Sequence, residues 1–182
     1  MTQFLQIVTT LVVLCYPVAV YFGLNYLPQG SIALVLCSLL LLRFFINKQK
    51  LKSLMLPIAA GIVLTMSSYI AKANDWLLYY PVVISTCMLI LFAHSLQWGP
   101  SIIERLARLK EPDLPESAVP YLNKVTFIWC IFFIINGAIA YYTAAFTSLS
   151  TWTLYNGFIA YLLMGILFTG EWLYRTFWLK KR

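Results

Sequence analysis

Charged side chains are scarce in this sequence. Of its 182 residues only 10% are Asp, Glu, Lys or Arg, whereas 62% are hydrophobic, and the mean hydropathy is +0.81. Soluble domains average about 25% charged and about 45–50% apolar residues, so a water-soluble globule is excluded. Aromatic residues make up 16%, which excludes a disordered chain, because disordered chains lack the apolar surface to collapse. The sequence therefore predicts an all-α, polytopic membrane protein with a single integral membrane domain over 1–182.

The sequence also lacks the residue clusters typical of metal sites and catalytic sites. Four cysteines each lie within an apolar run, namely Cys15, Cys37, Cys87 and Cys130. Without a Cys-x-x-Cys pair or a Cys/His cluster, we interpret them as small buried hydrophobic residues. We expect no cofactor, metal or catalytic residue. An intramembrane enzyme that uses His94, Glu104 or Glu171 as acid or base is the least supported alternative, since no constellation is evident. A basic patch interleaved with exposed aromatic residues is also missing, which argues against nucleic acid.

Six apolar segments are long enough to be considered as membrane spans, since a spanning helix needs about 20 residues. We predict helices over 4–22, 31–46, 53–71, 76–96, 121–146 and 152–178. The first has no preceding positive region and is not followed by a small-x-small cleavage site. We therefore predict a retained span rather than a signal peptide.

Basic residues are distributed asymmetrically around these segments. With six spans and a cytoplasmic N-terminus, the far side holds only Lys72 of the 13 Lys and Arg residues. Because cytoplasmic loops are enriched in Lys and Arg, we predict that both termini are cytoplasmic. The net charge of +7 should then attract anionic lipids of the cytoplasmic leaflet, at about 1 kcal/mol for each basic residue near the surface.

The connection between the fourth and fifth segments, 99–120, is the longest and is amphipathic. A helix here places apolar residues on one side: Ile102, Ile103, Leu106, Ala107 and Leu109. It places charged residues on the other: Glu104, Arg105, Arg108 and Glu111. Too short to span, it is predicted to lie on the cytoplasmic leaflet. It is either a membrane-bound connector with a solvated charged face or a docking surface for a soluble partner or for lipid headgroups.

Several polar residues are predicted to form a layer near the cytoplasmic interface. Counting 1.5 Å per residue from Trp152 places Glu171 near the end of the ~30 Å hydrocarbon core, with Arg175 one turn further on. The other members of the layer are Arg43, His94 and Lys124, and Trp98 is a further candidate contact beside them. This layer is either ordinary interface anchoring or a polar pocket for a phosphate- or carboxylate-bearing headgroup, with Arg43, Lys124 and Arg175 as anion contacts.

Deeper in the membrane we expect only neutral polar groups. Asn136 is near the middle of the fifth span beside Gly137, which favours a hydrogen bond across a close helix contact. Asn156 is near the far end of the last span and is likewise interpreted as a packing residue. A proton-coupled pump needs acids or bases at this depth, and a transporter built from inverted repeats needs matched broken helices. Neither is indicated.

The second half of the chain carries an ordered series of residues: Pro100, 103–105, 114–115, 122–123, Trp129, 132–133, Gly137 and 151–152. This series resembles the bacterial inner-membrane-spanning septation protein A family, also called intracellular septation protein A, over about 75–175. The chain is also similar to a bacterial inner-membrane family whose genes often lie in aryl polyene and fatty-acid-type biosynthetic clusters. These resemblances imply envelope maintenance and work beside acyl-carrier-protein-dependent lipid synthesis.

Two functions remain open from the sequence. The first is a non-enzymatic inner-membrane protein that supports cell-envelope assembly or maintenance by contacting a cytoplasmic or envelope protein through the 99–120 connector. The alternative is a lipid- or acyl-chain-handling protein: a carrier, a flippase, or an accessory to aryl polyene or fatty-acid-type lipid synthesis. A lipid-sized groove between the fourth, fifth and sixth spans near Trp98, Lys124 and Glu171 would favour the alternative.

Overall fold

The computed structural model describes residues 16–26, 31, 34–35, 37–38, 55–71, 74–110 and 112–176. All of its regular elements are helical, as predicted. Helix α1 is Tyr16–Tyr26, α2 is Met55–Ala71, α3 is Tyr80–Gln97, α4 is Ile102–Lys110 and α5 is Val119–Phe146. The last long helix consists of α6 (Leu149–Leu154), a π-helical turn (Tyr155–Ile159) and α7 (Ala160–Tyr174). Short 3-10 helices at Asn74–Tyr79 and Glu116–Ala118 precede α3 and α5.

Three helices of the described part are long and apolar enough to cross a membrane. With their flanking turns they are Asp75–Gln97, Glu116–Phe146 and Leu149–Tyr174, of 23, 31 and 26 residues. At 1.5 Å per residue they are about 35, 47 and 39 Å long, more than the ~30 Å of a bilayer core. They correspond to the predicted fourth, fifth and sixth spans.

The described part therefore contains three such helices, not the six that the sequence predicts. Helix α2 lies in the predicted span 53–71 but has only 17 residues, about 25 Å, which is shorter than the bilayer core. The predicted spans 4–22 and 31–46 lie mostly outside the described residues.

The packed core lies at the end of the bundle where α3 begins. The 3-10 helix Asn74–Tyr79 leaves carbonyl groups that two buried side chains satisfy. The Tyr16 hydroxyl donates to the Leu77 carbonyl at 2.6 Å, and the Trp152 indole N–H donates to the Leu78 carbonyl at 2.9 Å. Because Tyr16 also stacks on Tyr80 at 4.2 Å, α1 and the last helix are both fixed to the start of α3.

Helices α3 and α5 approach each other closely at mid-length. A Cβ atom on Gly137 would lie 3.3 Å from the Ser85 Cβ, so glycine permits this approach. Next to it, the Asn136 side-chain amide N–H donates to the Ser85 hydroxyl, and the Tyr155 hydroxyl donates to the side-chain oxygen Oδ1 of Asn136, both at 3.1 Å. Asn136 thus connects α3, α5 and the π-helical turn.

Asn156 lies in the same π-helical turn and is also buried. Its amide N–H groups donate to the Trp152 carbonyl at 2.9 Å and to the Thr143 hydroxyl at 3.2 Å. The second bond holds the start of the last helix against the end of α5.

A tight turn after α3 directs the chain into α4. The Trp98 N–H caps α3 on the His94 carbonyl, and Gly99 follows with φ +88°, a left-handed conformation that glycine adopts without strain. The Ser101 hydroxyl then accepts the Glu104 N–H at 3.4 Å, which caps the first turn of α4. Helix α4 is therefore held at the opposite end of α3 from the packed core.

The faces of α4 differ from the predicted division in one respect. Glu104 is only 6% exposed, whereas Leu106 and Leu109 are 48% and 77% exposed. The expectation that Glu104 lies on the solvated face is wrong, because α4 packs its Glu104 side against the protein. The buried carboxylate is compensated by Arg108, whose Nε lies 2.9 Å from Glu104 Oε1, and by its place in the first helical turn. The side chains of Leu106 and Leu109 remain exposed.

Candidate functional site

A groove of about 630 Å³ lies between α5 and α7, at the end of the long helices where α4 is found. This size is within the range of about 300–1,000 Å³ for small-molecule sites. The residues that line the α5–α7 groove are Tyr121, Lys124, Val125, Ile128 and Trp129 of α5 and Ile166, Leu167, Gly170, Glu171 and Tyr174 of α7. Its polar and charged groups lie toward the α4 end, and its deeper part is apolar.

The groove exists because α7 does not follow α5 closely. The Tyr155 and Asn156 side chains of the π-helical turn bond directly to α5, but the backbones of α5 and α7 are not in close contact. Ring contacts bridge the gap instead: Trp129 and Phe168 have centroids 4.6 Å apart, and Tyr121 and Tyr174 are 5.7 Å apart. Gly170 adds space, because nothing lies within 4 Å of the position of its absent Cβ.

A carboxylate and three donors define the polar end of the groove. The Tyr121 hydroxyl donates to Glu171 Oε1 at 3.2 Å, and Arg175 Nε lies 3.6 Å from the same oxygen. Arg175 is about half exposed, so this pair contributes at most about 1 kcal/mol. Lys124 is exposed and makes no ion pair with any residue of the described ranges. The charge left over at this end is therefore positive.

The structure brings together some of the predicted polar layer and not all of it. Lys124 and Glu171 line the groove, and Arg175 reaches it through Glu171. His94 and Trp98 lie at the end of α3, both exposed, with ring centroids 4.9 Å apart, and neither lines the groove. Arg43 lies outside the described residues.

The charged residues of α4 form a separate cluster. Arg105 Nε donates to the Pro100 carbonyl at 2.7 Å, which folds its side chain back over the Gly99 turn. Arg108 is paired with the buried Glu104. Neither arginine lines the α5–α7 groove.

Several lining residues were not predicted from the sequence, above all Tyr121, Gly170 and Tyr174. Helical periodicity is the signal that could have found them. Tyr121, Lys124, Val125 and Ile128 have the spacing i, i+3, i+4, i+7 that places residues on one helix face. Tyr174 follows Gly170 by four residues on α7. Sequence periodicity shows which residues share one side of a helix. Only the packed structure shows that these sides of α5 and α7 lie opposite each other.

Within the described ranges no group of three or more His, Cys, Asp and Glu residues is placed to hold a metal ion. The interactions found there also leave His94 apart from both carboxylates that were considered as acid or base. His94 contacts Trp98, Glu104 pairs with Arg108, and Glu171 contacts Tyr121 and Arg175. No protein-family model, curated protein or solved structure matches this chain.

Proposed function

We propose that this chain is a lipid-handling membrane protein that binds one amphiphilic molecule of the bilayer in the α5–α7 groove. The observation that carries the proposal is the amphiphilic character of the groove itself. One end presents the Lys124 ammonium group, which has no ion-pair partner within the described ranges, beside a carboxylate that Tyr121 and Arg175 contact. The other end is lined by Ile128, Ile166 and Leu167. A molecule with a negative headgroup and an acyl chain has the same division along its length.

The depth of the groove supports this interpretation. Tyr121 and Trp129 are eight residues apart on α5, which corresponds to about 12 Å along the helix. Half of a ~30 Å bilayer core is about 15 Å. A headgroup at Lys124 would therefore place the upper part of its acyl chain against Ile128 and Ile166, within one leaflet.

The charge at the polar end favours an anionic headgroup. Glu171 is already contacted by Tyr121 and Arg175, whereas Lys124 has no anionic partner in the described ranges. A lysine near anionic lipid contributes about 1 kcal/mol to binding. Phosphate and carboxylate headgroups share the chemistry that an ammonium group recognises.

The proposal includes a location and a cellular setting. We place the protein in the bacterial inner membrane as a multi-pass protein with both termini in the cytoplasm, so that the groove opens in the cytoplasmic leaflet. The resemblance to the septation protein A family and to the family of aryl polyene and fatty-acid-type gene clusters supports an accessory role in envelope lipid synthesis. Membership in each of these two families is likewise a proposal.

The test fills the groove with a side chain. Gly170→Leu introduces a side chain into the groove lining, whereas Gly165→Leu makes the same change on α7 at a position that does not line it and also has no atom within 4 Å of its Cβ. Native mass spectrometry of both purified variants should show co-purified lipid lost from Gly170→Leu and kept by Gly165→Leu. Equal lipid occupancy in the two variants would contradict the proposal.

Support of envelope assembly through a protein partner is a second candidate function. Its supporting observation is the exposure of Leu106 and Leu109 on α4, next to the exposed Arg105. A photo-crosslinker at position 109 should capture a defined protein in cells if α4 is a docking surface. Capture of lipid alone would show that α4 rests on the membrane.

A further inference from the structure

We infer that the α5–α7 groove is closed at its deep end, so that the protein holds a lipid from one leaflet and does not carry it across the membrane. This inference rests on the proposed function, because it concerns the same site. It distinguishes a carrier or accessory protein from a flippase, two possibilities that the sequence leaves open.

The first closure is aromatic. Trp129 is only 5% exposed and lies at the deep end of the groove lining. Its indole contacts Phe168 of α7 at 4.6 Å and Phe133 of α5 at 5.7 Å between centroids. These ring contacts narrow the space between the two helices at the level of Trp129.

The second closure is a pair of hydrogen bonds beyond the aromatic one. The Tyr155 hydroxyl donates to the side-chain oxygen Oδ1 of Asn136 at 3.1 Å, and the Asn156 side-chain amide donates to the Thr143 hydroxyl at 3.2 Å. Each joins α5 to the π-helical turn, and all four residues are buried. The interface between α5 and the last helix is thus occupied by protein along the half that lies toward the far side.

The exposed surfaces of α5 and α7 offer no polar route past these closures. Between Trp129 and Ala140 the exposed residues of α5 are Ile131, Ile134, Ile135 and Ala138. Between Ala160 and Phe168 those of α7 are Leu162, Leu163, Gly165 and Ile166. A headgroup that moved along this surface would lose its water without gaining polar partners, which is strongly unfavourable.

A lipid held in this way has its headgroup at the membrane surface beside α4. The function that follows is presentation of a lipid, within one leaflet, to an enzyme that acts on its headgroup or acyl group. Lys124 fixes the headgroup, and the Trp129–Phe168 contact limits how deeply the chain can enter.

Cross-linking measures the depth that the headgroup reaches. The protein is reconstituted in phosphatidylglycerol and phosphatidylethanolamine vesicles that contain a phosphatidylglycerol with a photoactivatable headgroup, and cross-linked peptides are mapped by mass spectrometry. We expect cross-links within 121–128 and 170–175, lost in Gly170→Leu and kept in Gly165→Leu. Cross-links of the headgroup at Asn136 or Tyr155 would overturn the inference.

Transbilayer exchange is the second measurement. The same vesicles carry a trace of headgroup-labelled fluorescent phosphatidylglycerol, and dithionite bleaches only the label that it can reach. With protein present, bleaching should stop at the outer-leaflet share, as in protein-free vesicles. Protein-dependent bleaching of the inner-leaflet label would overturn the inference while leaving lipid binding intact. If Gly170→Leu and Gly165→Leu bound the same amount of lipid, the proposed function and the inference would both be overturned.

Discussion

The Tyr121 hydroxyl donates a 3.2 Å hydrogen bond to the Glu171 carboxylate, from a position 50 residues earlier in the sequence. Arg175 Nε lies 3.6 Å from the same oxygen, so two donors already contact this carboxylate at the groove end. Glu171 is thus contacted by Tyr121 and Arg175, and the Lys124 ammonium group has no anionic partner within the described ranges. An anion that enters the groove therefore meets an available cation.

Lys124→Gln should weaken the binding of an anionic lipid about fivefold, because a lysine near an anionic lipid contributes about 1 kcal/mol and 1.4 kcal/mol is tenfold. Arg105→Gln is the matched control: it removes one positive charge at the same end of the bundle but outside the groove. Titration of both variants with phosphatidylglycerol at low and high salt measures the difference. Equal losses in the two variants would show that general surface charge, and not the groove, determines lipid binding.

Asn136→Ala should destabilise the bundle by about 1–3 kcal/mol, since it removes two buried hydrogen bonds and leaves the Tyr155 hydroxyl without its acceptor. Asn123→Ala truncates an exposed asparagine of the same helix and should change the free energy of unfolding by less than about 0.5 kcal/mol. Unfolding by sodium dodecyl sulfate in mixed micelles measures both. If the two variants unfolded together, the Asn136 connection would contribute nothing to stability.

Hydropathy predicts the long helices of this protein well, because a run of about 20 apolar residues has few other structures available. The bounds are less certain: the apolar run at 53–71 forms a helix of only 17 residues. The helical wheel misplaced Glu104, since the i,i+4 spacing to Arg108 is visible in the sequence but the packing of that side of α4 against the protein is not.

The groove illustrates the limit of local sequence patterns more clearly. The periodicity of 121–128 defines one face of α5, but the face of α7 that lies opposite it, and the gap between them, are properties of the packed structure. The start of α4 is a local feature by contrast, because the Ser101 hydroxyl accepts the N–H of Glu104 three residues later.

Glu104→Ala should destabilise the attachment of α4 by about 1–2 kcal/mol, because it removes the partner of Arg108 and leaves a gap in a buried position. The estimate is below that for a fully buried ion pair, since the Arg108 side chain is 37% exposed. Glu116→Ala, at an exposed position before α5, is the control. Limited proteolysis of the 99–120 connector should be faster in Glu104→Ala only. Equal cleavage rates would show that Glu104 does not hold α4.

Gly99→Ala should displace α4 through the backbone rather than through a steric clash. The added Cβ would meet Arg105 Nη2 at 3.4 Å, an ordinary contact, but φ +88° at this position is strained for any residue with a side chain. A left-handed conformation costs roughly 1–2 kcal/mol in a non-glycine residue, and relief of that strain would open the turn that carries α4.

Gly165→Ala is the opposite case, because replacing a helical glycine in open space by alanine stabilises the helix by about 0.5–1 kcal/mol. We therefore expect the free energies of unfolding of the two variants, measured in mixed micelles, to differ by about 1.5–3 kcal/mol. Proteolysis of the connector should be faster in Gly99→Ala alone. Equal stability of both would mean that the turn after α3 adapts without strain, and that the Glu104 side alone positions α4.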